Sequence, residues 1–279
     1  MRNLKFWIAA ALILASGCAY AAEPVDIPSG DVKLQATLFR PSGPGPFPAV
    51  VALHACDGLH EGPADAEAPI EERYRQWGEH LVAAGFAVLF PDSFGSRGLG
   101  SQCKQRQRAV RASQTRINDA NAARRWLQAQ PWVLRDRVSL LGWSHGATTT
   151  LWTIRRHAAA SRDKTPDFRS AAVLYPNCQR AGALAWSARV PTLILIGRAD
   201  DWTPAATCEQ MVAGARGRSA GTMIQVYPGA YHDFDVAKLP LQERTGIANT
   251  PNAAGRVHIG TNEAARADAF KRVPEWFAR

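Results

Sequence analysis

Residues 138–147 constrain the fold most, because they read Val-Ser-Leu-Leu-Gly-Trp-Ser-His-Gly-Ala and join a predicted buried strand to a tight turn. A helix-compatible segment, residues 147–156, follows at once. Such a turn lifts the Ser144 side chain above the sheet on a strained backbone, so the positions two before and two after it must lack side chains. Gly142 and Gly146 occupy those positions. The pattern predicts a nucleophilic Ser144 at a helix start, where unpaired amides favour negative charge; the alternative is a chance Gly-x-Ser-x-Gly.

The N-terminus has the three parts of a secretory signal peptide. The first residues include two basic side chains, residues 6–17 are apolar, and residues 19–21 read Ala-Tyr-Ala, a small-x-small cleavage site. The apolar part is too short to span a bilayer comfortably, so stable membrane insertion is not expected. We therefore expect removal of the signal peptide, residues 1–21, and a periplasmic or secreted protein. The alternative is a lipoprotein anchored at Cys18.

The remaining residues, 22–279, contain no linker, repeat or low-complexity run. A hairpin is predicted for residues 24–40. Continuous apolar runs are typical of strands buried on both faces of a parallel sheet, and they cover residues 47–53, 86–90, 171–175, 190–196 and 222–227. Predicted helices alternate with these strands at residues 70–84, 109–128, 147–156, 204–215 and 263–277. This alternation predicts a single α/β domain whose mainly parallel sheet is covered on both faces.

The candidate nucleophile needs two partners, because a serine hydroxyl is weak unless a histidine takes its proton and an acid orients that histidine. Asp200 and Asp201 both follow the predicted strand 190–196, and either could face the site. We favour Asp200. His232 follows the next strand and completes the order serine, acid, histidine that α/β-hydrolases use. His54 is the competing base, but it precedes the serine, and we expect it to shape a loop instead.

Acyl transfer also requires two donors for the negatively charged oxygen of the tetrahedral intermediate, the oxyanion hole. We expect the backbone amide of His145, the residue after the serine, to be one of them. The second should come from the loop after the strand 47–53, where Cys56 is the favoured residue and Ala55 the alternative.

The cysteines beyond the signal peptide number four, and an even number in an oxidising compartment predicts two disulfides. Cys178 follows one predicted strand and Cys208 lies in the helix after the neighbouring strand, so we expect these two to pair. We expect Cys56 and Cys103, in loops on the predicted active-site side, to form the other pair. The chain contains neither Cys-x-x-Cys nor His-x-x-x-His, and no metal site is expected.

The chain is basic, with 33 lysine and arginine side chains against 24 aspartate and glutamate side chains. Part of the excess is clustered at Lys104, Arg106, Arg108, Arg111 and Arg116. Because no aromatic residue interrupts this cluster, we interpret it as the solvated face of a helix rather than a nucleic-acid surface.

The long loop of residues 91–105 is expected to form part of the substrate mouth. It contains Arg97 beside two glycines, and an arginine there could bind a substrate carboxylate through two parallel hydrogen bonds. The alternative is a structural role, in which Arg97 braces the loop by bonding backbone carbonyls or Asp92.

Together these motifs resemble the dienelactone hydrolase family of α/β-hydrolases. The matching segments span nearly the whole mature chain and comprise residues 54–58, 91–94 with 97–98, 142–146, 197–204, 227–235 and 264–269. The most specific is residues 227–235, which read Tyr-Pro-Gly-Ala-Tyr-His-Asp-Phe-Asp. The resemblance implies an eight-stranded sheet and a triad of Ser144, Asp200 and His232. The founding members have a cysteine nucleophile and resemble cytosolic enzymes, whereas this chain has serine and an export signal.

These features favour an exported serine hydrolase that cleaves a small carboxylic ester or lactone through an acyl-enzyme intermediate. A peptidase or an acyltransferase would use the same triad. A non-catalytic α/β-hydrolase scaffold used only for binding is the alternative from another functional class. The chain has no phosphate loop and no dinucleotide fingerprint, so no cofactor is expected.

Overall fold

The structure, a computed structural model, describes residues 22–62, 68–156 and 165–279. The predicted signal peptide and Cys18 lie outside these residues. No helix in the described ranges is both long enough and apolar enough to cross a membrane.

Eight strands form one sheet in the order β1-β2-β4-β3-β5-β6-β7-β8. Their bounds are β1 Ala22–Ser29, β2 Val32–Phe39, β3 Phe47–Leu53, β4 Ala87–Pro91, β5 Val133–Trp143, β6 Ala171–Leu174, β7 Thr192–Gly197 and β8 Thr222–Tyr227. The hairpin β1-β2 and the pair β2-β4 are antiparallel, and every other neighbouring pair is parallel. The mainly parallel, eight-stranded sheet expected from the sequence is confirmed. A separate antiparallel pair joins β9 (Gln242–Arg244) to β10 (Val257–Ile259).

In the described residues, six α-helices connect and flank these strands. Their bounds are α1 Glu72–Ala83, α2 Thr115–Gln128, α3 His145–Thr153, α4 Gln179–Ala183, α5 Ala205–Gly214 and α6 Glu263–Ala278. The prediction that α2 begins near residue 109 was wrong. The preceding segment folds as turns against the loop before it, with Val110 buried and the Arg108 Nε donating to the Gln102 carbonyl at 3.0 Å.

The core beneath the carboxyl edge of the sheet is aromatic, with Trp143 at its centre. The Trp143 ring lies 5.3 Å from Tyr74, 5.7 Å from Trp77 and 6.3 Å from Phe90, and all four side chains are fully buried. Burying a large apolar side chain stabilises a fold by about 1.5–3 kcal/mol. The last residue of β5 is therefore firmly packed directly before Ser144.

Candidate active site

Ser144 lies between the end of β5 and the start of α3, with φ 48° and ψ −109°. A positive φ is rare for a residue with a side chain and carries strain, which persists only where the surrounding structure imposes it. The sharp strand-turn-helix predicted from residues 138–147 is present.

The two flanking glycines are required by close backbone contacts. A Cβ atom on Gly142 would lie 2.6 Å from the carbonyl carbon of Gly146, and one on Gly146 would lie 2.0 Å from the carbonyl oxygen of Leu53. Both distances are far inside van der Waals contact. The turn can therefore form only because neither position has a side chain.

Ser144, His232 and Asp200 form one buried chain of hydrogen bonds. The Ser144 Oγ lies 3.0 Å from the His232 Nε2, and the His232 Nδ1 lies 2.8 Å from the Asp200 Oδ2. The three residues follow β5, β8 and β7, whose carboxyl ends meet at one edge of the sheet. In this order the three groups can transfer a proton from the hydroxyl to the imidazole and stabilise the resulting imidazolium.

The two adjacent aspartates have different partners. The Asp200 Oδ1 accepts hydrogen bonds from the amides of Trp202 and Thr203, at 3.0 and 2.8 Å, and this orients Oδ2 towards His232. Asp201 is partly exposed, and its carboxylate binds the amide and the Nδ1 of His258, each at 2.8 Å. The structure therefore brings Asp200, and not Asp201, to His232.

The environment of His232 favours its protonated form. Burial by itself lowers the pKa of His232, but the charge and hydrogen bond of Asp200 outweigh burial, so the pKa is raised above its ordinary value. The ring lies 4.4 Å from the Tyr175 ring and 4.5 Å from the Trp202 ring, measured between centroids. These contacts hold the imidazole between the serine and the carboxylate.

The candidate oxyanion donors are the backbone amides of His145 and Cys56, with Ala55 as the alternative to Cys56. His145 is the first residue of α3, where backbone amides have no partner within the helix. The Ala55 amide donates to the Tyr74 hydroxyl at 2.8 Å, whereas the Cys56 amide has no hydrogen-bond partner in the described part of the chain. The amides of Cys56 and His145 thus remain available.

Both ring nitrogens of His54 already form hydrogen bonds. Its Nδ1 donates to the Ala55 carbonyl at 2.8 Å, and its Nε2 accepts from the Ser93 amide at 3.2 Å. Burial and the nearby Arg116 lower the pKa of His54 well below its ordinary value. His54 is thus a neutral loop-shaping residue in this structure, as the sequence analysis expected.

In the described part of the chain, two disulfides join segments that follow β3, β4, β6 and β7. Cys56 is bonded to Cys103 and Cys178 to Cys208, with a Cα–Cα distance of 5.0 Å in each pair. The first bond joins the loop that contains a candidate oxyanion donor to the loop that follows β4. Both pairs are the ones expected from the positions of the cysteines along the chain.

Arg97 makes the contacts of a bracing residue. Its Nη1 donates to the Ser93 carbonyl at 2.8 Å, and its guanidinium forms two hydrogen bonds with the Asp119 carboxylate, at 3.0 and 2.9 Å. It lines a cleft of about 930 Å³ that includes neither His145 nor Trp202. A substrate-binding role for Arg97 gains no support from these contacts, and the bracing carboxylate is Asp119 rather than Asp92.

The basic cluster is not the solvated face of one helix, so that prediction was wrong. Arg116 is fully buried in α2, while Lys104, Arg106, Arg108 and Arg111 precede that helix. The helical pattern could not reveal this, because the buried contacts of Arg116 are to Ser93 and His145, which are distant along the chain.

A cleft of about 1120 Å³ opens beside His145 and Trp202. Thr148 and Asn177 also line it. The cleft contains four arginines and, among the described residues that line it, no acidic side chain; the arginines are Arg106, Arg108, Arg111 and Arg180. Its location next to the hydroxyl-imidazole-carboxylate chain makes it the candidate substrate cleft.

The sequence pattern did not identify the buried carboxylate of Asp235, three residues after His232. Asp235 accepts hydrogen bonds from Trp77 Nε1 at 2.8 Å, Trp143 Nε1 at 2.9 Å and the Tyr175 hydroxyl at 2.5 Å. A buried carboxylate with several donors is satisfied and rigid. The only sequence signal for Asp235 was its place in residues 227–235, the most specific of the matching segments.

A buried ion pair connects the loop that contains His232 to α1. The Arg73 Nη1 donates to the Asp233 Oδ1 at 2.7 Å and to the Tyr175 hydroxyl at 3.0 Å. Burial raises the pKa of Asp233, but the charge and hydrogen bond of Arg73, together with the charges of His232 and Arg244, outweigh burial, so the pKa is below its usual value. Asp233, with φ 60°, directly follows His232, and this ion pair therefore helps to position the imidazole.

Known proteins match this chain over nearly its full length. The model of the dienelactone hydrolase family matches residues 34–279. A Methylorubrum extorquens protein named "Putative carboxymethylenebutenolidase" is 24% identical over 267 residues, which cover 92% of this chain and 80% of that protein.

Solved structures agree on the fold. A crystal structure described as "Putative Dienelactone Hydrolase", from Klebsiella pneumoniae, superposes with a TM-score of 0.69 at 20% identity and covers 94% of this chain and 99% of its own. The acylaminoacyl peptidase of Pyrococcus horikoshii has a TM-score of 0.64 at 13% identity, covering 93% of this chain but 41% of its own. Because the family model spans most of the chain, the resemblance seen in the motifs is confirmed: this chain belongs to the dienelactone hydrolase family and is a hydrolase of the ester or lactone type.

Proposed function

We propose that the protein hydrolyses a small carboxylic ester or lactone through a covalent acyl-enzyme formed on Ser144. The observation that carries this proposal is the hydrogen-bonded chain from Ser144 through His232 to Asp200, beside the arginine-lined cleft. The proposed hydrolase domain comprises residues 22–279.

In the first step, the Ser144 Oγ attacks the carbonyl carbon of the ester while the His232 Nε2 takes the hydroxyl proton. The electron pair of the carbonyl bond moves to its oxygen. The backbone amides of His145 and Cys56 donate hydrogen bonds to this negative oxygen. Asp200 holds His232 in the required tautomer and stabilises the imidazolium.

The tetrahedral intermediate then loses the alcohol. The bond between the carbonyl carbon and the alkoxy oxygen breaks, and the imidazolium gives its proton to that oxygen. A water molecule attacks the acyl-enzyme while His232 again takes a proton. The bond to the Ser144 Oγ then breaks, the imidazolium returns its proton to that oxygen, and the acid is released. With a lactone, the alcohol and the acid remain in one molecule, and the product is a hydroxy acid.

We also propose that the protein is exported, with residues 1–21 removed. The support is the N-terminal pattern together with two disulfides in the described part of the chain, since such bonds persist in oxidising compartments. N-terminal sequencing of the protein recovered from the periplasm or the medium should begin at Ala22. A sequence that begins at Met1, or at a lipid-modified Cys18, would contradict this proposal.

The direct test of the proposed activity is a panel of p-nitrophenyl esters of graded chain length, with matched p-nitroanilides. We expect hydrolysis of the esters, little hydrolysis of the anilides, and covalent labelling of Ser144 by a fluorophosphonate probe. Ser144→Ala is the control and should show neither activity nor label. Faster cleavage of the anilides would indicate a peptidase, and absence of both labelling and hydrolysis would indicate a binding scaffold.

The activity should also fall as the pH decreases, because the proposed base must be neutral to accept a proton. Asp200 raises the pKa of His232, so the acid limb of kcat/KM should have its midpoint above the ordinary histidine value of about 6.5. Measuring kcat/KM for one nitrophenyl ester between about pH 5 and pH 9 checks this. A midpoint below the ordinary value would contradict the assignment of a carboxylate-paired His232 as the base.

A further inference from the structure

Arg116 is a buried cation whose hydrogen-bond partners are neutral. Its Nη1 lies 2.9 Å from the His145 Nδ1 and its Nε donates to the Ser93 hydroxyl at 3.3 Å, while its buried Nη2 has no hydrogen-bond partner among the described residues. The nearby Asp119 is instead paired with Arg97. Burial lowers the pKa of Arg116 to about 10, so the guanidinium remains charged at neutral pH. Burying such a charge is costly, and a specific role would explain its position.

The contact between Arg116 and His145 determines the tautomer of the histidine. A guanidinium has only donors, so the His145 Nδ1 must accept, and a neutral imidazole then carries its proton on Nε2. The charged and titratable groups around this ring are Arg116 from α2, Arg108 from the preceding loop and His54 beyond β3. Burial, with the two arginine charges, lowers the pKa of His145 well below its ordinary value. The ring is therefore neutral.

The second nitrogen of His145 is available to a ligand. Its Nε2 has no hydrogen-bond partner among the described residues and is not fully enclosed by protein, and His145 lines the candidate substrate cleft. A neutral imidazole with its Nδ1 occupied presents only an N–H donor at Nε2. The His145 side chain is thus a fixed, uncharged donor in the cleft, on the residue after the serine.

We propose that the His145 side chain donates a hydrogen bond from Nε2 to the bound substrate, and that Arg116 is the positioning residue that fixes this donor. The inference rests on the proposed ester hydrolysis and narrows its substrate class. The preferred ester or lactone carries an acceptor oxygen, such as a carbonyl, ether or carboxylate oxygen, in addition to the group that is cleaved. This contact is separate from that of the His145 backbone amide with the oxyanion.

Two matched pairs of esters test the contact. p-Nitrophenyl methoxyacetate and p-nitrophenyl butyrate differ in the acyl part by one ether oxygen in place of a methylene, and 2-methoxyethyl acetate and butyl acetate differ in the same way in the alcohol part. Within each pair, the kcat/KM of the ether ester is divided by that of the alkyl ester, and this ratio is compared between wild type and variant. The difference in chemical reactivity between the two esters is the same for both enzymes and therefore cancels. His145→Phe keeps a ring but removes the donor.

We expect His145→Phe to lower the ratio of ether to alkyl ester by about ten-fold in at least one pair, because a site built around a hydrogen bond discriminates strongly against its absence. Arg116→Met should lower the same ratio, and it should introduce a new ionisation of His145 into the pH profile of the ether ester. Arg198→Met is the control, because it removes one positive charge from an exposed ion pair with Glu209 that lies outside the candidate cleft. Unchanged ratios in His145→Phe, or an equal effect of Arg198→Met, would overturn the inference.

The tautomer can be measured without any substrate. ¹⁵N NMR of histidine-labelled protein at about pH 7.5, where an ordinary histidine is mostly neutral, distinguishes a proton on Nε2 from one on Nδ1, and His145→Phe identifies the signals. We expect the His145 proton on Nε2 in the wild type and a mixture in Arg116→Met. A proton on Nδ1 in the wild type would overturn the inference. If no ester is hydrolysed, the proposed function fails and the substrate contact fails with it, whereas hydrolysis with unchanged ratios contradicts only the inference.

Discussion

Replacing Ser144 with alanine is expected to lower kcat/KM for p-nitrophenyl esters by about 10⁴-fold or more, and His232→Ala should have an effect of similar size. The reason is that the hydroxyl and the imidazole act as one unit: without the base the hydroxyl stays protonated, and without the hydroxyl no acyl-enzyme forms. The double variant should therefore be hardly worse than either single variant.

The fold should survive both substitutions. The Ser144 side chain makes its hydrogen bond to His232 through Oγ alone, and alanine can occupy the same turn between Gly142 and Gly146. Circular dichroism and thermal melting should thus place the variants close to the wild type. If the fold-losses in kcat/KM of the two single variants multiplied in the double variant, Ser144 and His232 would not be acting as one unit.

The second large effect that we expect is on kcat, and it should distinguish Asp200 from the adjacent Asp201. Asp200→Asn is expected to reduce kcat by about 10³–10⁴-fold, because an amide can donate to the His232 Nδ1 and stabilise the wrong tautomer. Asp201→Asn is the matched control, with the same chemical change one residue further along. Asp201 binds the partly exposed His258 and not His232, so its loss should change kcat by less than about three-fold, since a partly exposed contact of this kind contributes at most about 1 kcal/mol.

Both aspartate variants should be assayed with the same ester and at a pH on the plateau of the wild-type profile. A larger loss in Asp201→Asn than in Asp200→Asn would mean that the orienting carboxylate has been assigned to the wrong residue. Equal and small losses would instead show that His232 needs no carboxylate partner, and the proposed mechanism would have to be revised.

The sequence by itself determined the features that depend on local pattern. The apolar runs gave the strands of the sheet, since a strand covered on both faces must be apolar throughout. The spacing of Gly142, Ser144 and Gly146 identified the sharp turn, because only residues without a side chain fit at its ends. The pairing of the cysteines also followed from strand order, because it places each pair at one edge of the sheet.

Only the tertiary structure decides which of two neighbouring or chemically similar side chains takes part in the site. The sequence favours Asp200 but leaves Asp201 open as the alternative, and the amides of Trp202 and Thr203 determine which carboxylate faces His232. Likewise Arg97 and Arg116 both follow β4, yet one is paired with Asp119 and the other is buried against His145.

The buried network around Asp235 was invisible in the sequence for the same reason. Its donors Trp77 and Trp143 lie 158 and 92 positions away along the chain. The hydrophobic pattern of a strand or helix indicates which of its faces is apolar. It does not indicate which distant side chains that face contacts. The contacts that orient the serine, the imidazole and the carboxylate are of this long-range kind, because the carboxyl ends of separate strands come together only when the sheet has formed.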